Sequence, residues 1–171
     1  FQNTHFQLAD LRRQISAGAG VWWVRTSPKP DTRAEHFRAH QMPFDSGGLL
    51  LPYWTAYRVW DEALFDEMWP EIQAAGKAAA LRSVRQLARR MRPGDVVLAL
   101  SGRQHLVALG VVQSDPLPWT ETGYSSYREV QWLRVILEAP LELTRAVSPG
   151  AAGRFRGSAL ELVQRVWESG C

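Results

Sequence analysis

At 171 residues, with 46% hydrophobic and 22% charged side chains, the chain is long enough for one compact domain with a sizeable core and too apolar for a disordered one. The net charge of +3 is mildly basic and keeps nucleic acid among the partners to consider. No apolar run approaches the roughly 20 residues of a membrane helix, and the opening FQNTHFQLADLRRQ lacks the apolar stretch of a secretory signal.

A cytoplasmic protein without membrane association is therefore expected. The chain begins at Phe1 instead of Met, so a processed or excised piece of a larger protein is expected as well. Cys171 is the only cysteine, which excludes a disulfide framework and a thiolate metal site. His36 and His40 share a helix face if RAEHFRAHQ is helical. Phe37 stands where a zincin pair would carry Glu, and no third ligand is evident, so neither metal nor cofactor is expected.

In chain order, Phe6, Leu8, Leu11 and Ile15 give a helical spacing from about Thr4 to Ser16, ended by AGAG. VWWVRTS, residues 21 to 27, is a strand broken by Pro28 and Pro30. Asp31 or Thr32 can cap a helix to about His40. A Pro- and Gly-punctuated loop follows from Met42, and LLLPYWTAYRVW reads as a short strand and a helical turn. Residues 61 to 75 are predicted helical, with Leu64, Phe65, Met68 and Ile72 as the apolar stripe. A further helix runs from about Ala78 to Met91. After the RPGD turn, DVVLALS and HLVALGVVQS form a hairpin around GRQ. DPLPWTETGYSSY is predicted to be a long loop, REVQWLRVILEAPLEL a strand and SALELVQRVWE a closing helix. Helices set between a first strand and a cluster of later strands predict an α+β fold in a single domain, 1–171, with a small, closed barrel.

Two features point to function. Lys77, Arg82, Arg85, Arg89, Arg90 and Arg92 crowd one helix end with no acid between positions 72 and 94. Such a run is either a solvated helix face or a phosphate-tracking surface. Eight tryptophans in one small chain are the other. Most must be core: Trp132 by strand alternation, and Trp60, Trp69 and Trp167 on helical stripes. Trp22 and Trp23 are adjacent, so on a strand they point to opposite faces; one can be core while the other looks into a cavity or groove.

GDVVLALSGRQHLVALGVVQSD followed by YREVQWLRV resembles the PUA-like superfamily, which includes EVE, ASCH and YTH domains. The likeness rests on Gly94, Asp95, Gly102, Gly110, Val130, Trp132 and Leu133. VWWVRTSPKP is similar to the aromatic first strand of EVE domains, with Arg25-Thr26-Ser27-Pro28 in place of their Lys-Ser/Thr-Glu-Pro. The resemblance spans most of residues 20 to 140. It is nearest to N-terminal domains of McrB-type, modification-dependent restriction systems, and implies a PUA-like (EVE/YTH-like) β-barrel flanked by helices.

It also implies a reader of a modified base that does no chemistry of its own. A flipped base needs flat apolar walls and a few polar groups for its edge. By the likeness to YTH domains, the pocket falls to Trp22, Trp23, Thr26, Ser27 and Asp31 and to Tyr53, Trp54 and Thr55; Trp119, on the long loop, is a third wall or a wedge that fills the hole left by the flipped base. Arg25, Lys29, Arg33, Lys77, Arg82, Arg85, Arg89, Arg103 and His105 are the candidates for backbone phosphates. The expected partner is duplex DNA with a modified base, N6-methyladenine first and 5-methylcytosine second, with an effector domain or nuclease subunit elsewhere in the parent system. The rival readings are an RNA-modification reader, a protein-interaction module and a small ASCH-like hydrolase built on Lys29 and Asp31.

Overall fold

The computed structural model describes residues 7–27, 48–52, 62–76, 90–114, 117–118, 124–147 and 152–169. They form helix α1 (Leu8–Ser16), strands β1 (Val21–Ser27) and β2 (Gly48–Pro52), and helix α2 (Glu62–Ala74). Then come β3 (Val96–Ser101), β4 (His105–Val112), β5 (Leu117–Pro118), β6 (Tyr124–Val135), β7 (Leu141–Glu142), β8 (Ala152–Arg154) and helix α3 (Ala159–Ser169). The fold is α+β. Among the described residues no helix is long and apolar enough to cross a membrane.

The strands make one mixed sheet in the order β2-β6-β4-β3-β1-β8, with β5 beside β6 and β7 beside β4. β1 and β3 run parallel, Val21 opposite Val96 and Ser27 opposite Ser101. β3 and β4 are the predicted hairpin. β6 does two jobs: its second half pairs with β4, while its first half is flanked by β2 and β5. Register shifts in β1, β4 and β6 bend these strands, since an extra residue on one side of a ladder sharpens its twist. The described strands do not close into the expected barrel: β2 and β8 are the two ends of the path.

Gly110 lies at one such shift, opposite Trp132. A methyl group on it would stand 2.7 Å from Val130 Cγ1 and 2.9 Å from the Gln131 carbonyl oxygen. Backbone on that side cannot retreat without parting β4 from β6. Gly110→Ala is expected to cost about 2 kcal/mol, in the range of an overpacked core, and urea denaturation measures it.

Period-two alternation divides the interior. On one face Val21, Trp23, Leu98 and Leu109 pack with Leu11 of α1 and with Leu162, Val163 and Val166 of α3. On the other, Trp22, Val24, Val97, Val112 and Val130 pack with Met91. Trp132 is half-buried and leans on this second cluster and on Ala99 and Ala108. Trp167 is half-buried at the edge of the first, with the Arg134 guanidinium 3.8 Å above its ring.

Two predictions are corrected. The loop proposed from Asp115 to Tyr127 is partly sheet: β5 forms within it and β6 begins at Tyr124. Pairing of Ser126 and Tyr127 with both β2 and β5 organises backbone that has no hydrophobic alternation of its own. β8 was not foreseen either. Its Ala-Gly-Arg has little strand propensity and exists as a strand through antiparallel pairing with Trp22–Val24. The helix expected through His40 lies outside the described residues, as does most of that expected from Ala78 to Met91.

Candidate functional site

The start of β1 is held by a carboxylate at the Gly-Asp turn. Asp95 is 8% exposed; its Oδ1 accepts from the Gly20 amide at 2.9 Å. Its Oδ2 accepts from the Trp22 indole Nε1–H and from the Arg92 amide, both at 2.9 Å. One side chain thus ties the turn before β3 to the first residues of β1 and sets the rotamer of Trp22. The Gly94-Asp95 signature is structural in this chain.

Trp22 and Trp23 point to opposite faces, as alternation requires, but both are buried, at 4% and 3% exposure. The expectation that one of them forms the open wall of a base pocket is corrected at Trp22. Its ring is packed among Val24, Val97 and Met91, its N–H is bound by Asp95, and Arg154 lies over it at 5.2 Å. Trp23 belongs to the main core and lies against the backbone of Gly153, where a methyl group would stand 2.8 Å from its Cζ2. Its remaining surface borders a cavity beside α3.

The polar positions converge elsewhere. β1 and β3 end together, with Arg25 opposite Leu100 and Ser27 opposite Ser101. Thr26 is 3% exposed, and its hydroxyl donates to the Leu100 carbonyl at 3.3 Å. Ser101 is fully buried, and its hydroxyl has no hydrogen-bond partner among the described residues. Such a group costs about 1–3 kcal/mol of desolvation unless something satisfies it. Ser101 did not figure among the sequence-predicted site residues. The signal was present as the lone polar residue ending the apolar run DVVLALS. Arg25 is half-buried on the same strand.

The hairpin tip between β3 and β4 does not project as a probe. Arg103 donates its Nε–H to the Val147 carbonyl at 2.8 Å, and its own carbonyl accepts from the Val147 amide at 2.7 Å. Gln104 makes the corresponding pair with Leu143, and His105 is half-buried opposite Glu142. The tip that carries Arg103 and His105, both predicted to contact phosphates, is stitched to the chain after β7, and the Nε edge of the exposed Arg103 guanidinium is spent on it. Lys29, Asp31, Arg33, Tyr53, Trp54, Thr55, Lys77, Arg82, Arg85, Arg89 and Trp119 lie outside the described residues. The structure therefore brings Arg25, Thr26 and Ser27 to the end of β3 and adds Ser101 to them.

No curated protein matches the chain. A family model does, over residues 53–147, more than half of its length. The matched stretch contains Asp95, Ser101 and Gly110, and ends before β8 and α3. The chain belongs to the family described as Domain of unknown function (DUF8426).

Proposed function

We propose that this domain recognises a modified base in duplex DNA, by accepting the flipped base at the carboxyl ends of β1 and β3, and that it performs no chemistry on it. The observation that carries the reading is the buried, unpartnered hydroxyl of Ser101 beside Thr26. A buried hydroxyl at a strand end, with no protein partner among the described residues, offers a hydrogen-bonding group for a ligand's polar edge. The pairing of β6 with both β4 and β2, and the register shifts along it, support a PUA-like barrel as the scaffold. Trp54 then supplies a flat wall, and Tyr53, Thr55 and Asp31 the remaining pocket positions, on the strength of the EVE and YTH resemblance; Trp119, on the long loop, is a further wall or a wedge. Lys29, Arg33, Lys77, Arg82, Arg85 and Arg89 serve the flanking phosphates.

The test is titration of the domain with matched duplexes, unmodified or carrying N6-methyladenine, 5-methylcytosine or 5-hydroxymethylcytosine, at two salt concentrations. One modified duplex is expected to bind best, with affinity falling steeply as salt rises. Ser101→Ala separates site from scaffold. It removes an unsatisfied buried hydroxyl, so stability is expected to hold or rise by up to about 1 kcal/mol, while the preference for the modified duplex falls roughly tenfold. Equal binding to all duplexes sinks base recognition. Binding only to an N6-methyladenine RNA oligonucleotide, titrated alongside the duplexes, moves the site to the rival RNA reading.

A further inference from the structure

A concave site lies on the opposite side of β1 from Trp22. A cavity of about 580 Å³ opens between the chain after β7, the β8–α3 connection and the first turns of α3. That volume falls within the roughly 300–1,000 Å³ of small-molecule pockets. Its apolar wall is Trp23, Phe155 and Leu162; Arg145, Arg156 and Arg165 border it, with Glu161 as the one acid.

The cations are not neutralised. Among the described residues none of these three arginines is in an ion pair. Arg165 reaches only the Glu142 carbonyl, at 3.4 Å. Arg154 also borders the cavity, but its guanidinium is stationed over Trp22. Like charges gathered around one concavity repel each other and favour an anion drawn from solution. Ser158 and the amino end of α3, an eleven-residue helix, face the same space and add positive potential. A lone phosphate would occupy only a small part of this volume and leave the apolar wall bare. The wall, the acid and the arginines together match three parts of one ligand class.

We infer that this cavity binds a nucleoside monophosphate. The phosphate sits between Arg145, Arg156 and Arg165, the base lies along Trp23, Phe155 and Leu162, and Glu161 accepts from a ribose hydroxyl. This site is separate from the proposed base-reading site at the ends of β1 and β3.

Calorimetric titration with AMP, GMP, CMP and UMP, and with adenosine and inorganic phosphate as the partial ligands, tests it. At least one monophosphate is expected to bind about tenfold or more tighter than either partial ligand. Arg145 and Arg156 are exposed, so R145A/R156A should fold normally by circular dichroism and weaken that monophosphate by at least about tenfold, as loss of two charge-assisted contacts requires. Its preference among modified DNA duplexes should match that of the unsubstituted domain. Absence of saturable binding by all four monophosphates overturns the inference. So does phosphate binding as tightly as the nucleotides, or an unchanged affinity in the folded double variant.

Discussion

Asp95→Ala is expected to lower the midpoint of thermal unfolding by roughly 6–12 °C, about 3 kcal/mol for a domain of this size. The carboxylate is the acceptor for three donors, the Gly20 and Arg92 amides and the Trp22 indole, each at 2.9 Å. Removing it strands the indole N–H inside a core of Val24, Val97 and Met91, where water cannot replace the lost partner. The amide of exposed Arg92 recovers part of its loss from solvent, whereas that of buried Gly20 does not. Asp95→Asn is the control. It keeps one acceptor oxygen but presents an amide nitrogen to another donor, so about half the loss is expected. Differential scanning calorimetry of the three proteins measures both. An unchanged midpoint in the alanine variant would show that the Gly-Asp signature has no structural role.

Trp23→Ala and Trp54→Ala are expected to fail in different ways. Trp23 is 3% exposed, fills the main core beside Leu98 and Leu109, and abuts Gly153. Its truncation is expected to cost about 3–5 kcal/mol and to show first as a lost unfolding transition. Any loss of DNA binding then follows from the lost fold. Trp54, as the proposed wall of the base site, behaves in the reverse manner. Its truncation should leave the unfolding midpoint close to that of the parent and remove about 1–3 kcal/mol of base stacking, a loss of roughly 5- to 150-fold in affinity for the modified duplex. Denaturation and duplex titration on both variants form the check. A folded Trp54→Ala protein with undiminished discrimination would remove Trp54 from the site.

The contrast between these two tryptophans shows what local pattern conveys. Alternation along VWWVRTS places Trp22 and Trp23 on opposite faces, and the structure agrees. Pattern cannot say what covers each face. Trp22 is covered because Asp95, 73 positions away, reaches its N–H. Trp23 is covered because β8, a three-residue strand with no sequence signature, pairs across it and brings Gly153 against the indole. The hairpin tip follows the same logic. GRQ reads as an exposed turn, yet Arg103 and Gln104 are bonded to Val147 and Leu143, far along the chain. Ser101 was legible as the end of an apolar run, but its lack of a partner is a property of the surroundings.

By itself, the sequence determined the α+β class, the helices at either end, the β3–β4 hairpin and the alternating core of β1. All of these depend on residues within one turn or one ladder, where period, turn chemistry and side-chain volume act locally. Tertiary structure alone decided the parallel pairing of β1 with β3, the double pairing of β6, and the burial of both adjacent tryptophans. It also gathered Arg145, Arg156 and Arg165 around one cavity with Trp23 and Phe155. Each of these joins segments far apart in the chain, and the free energy that selects them is released only when distant surfaces exclude water together.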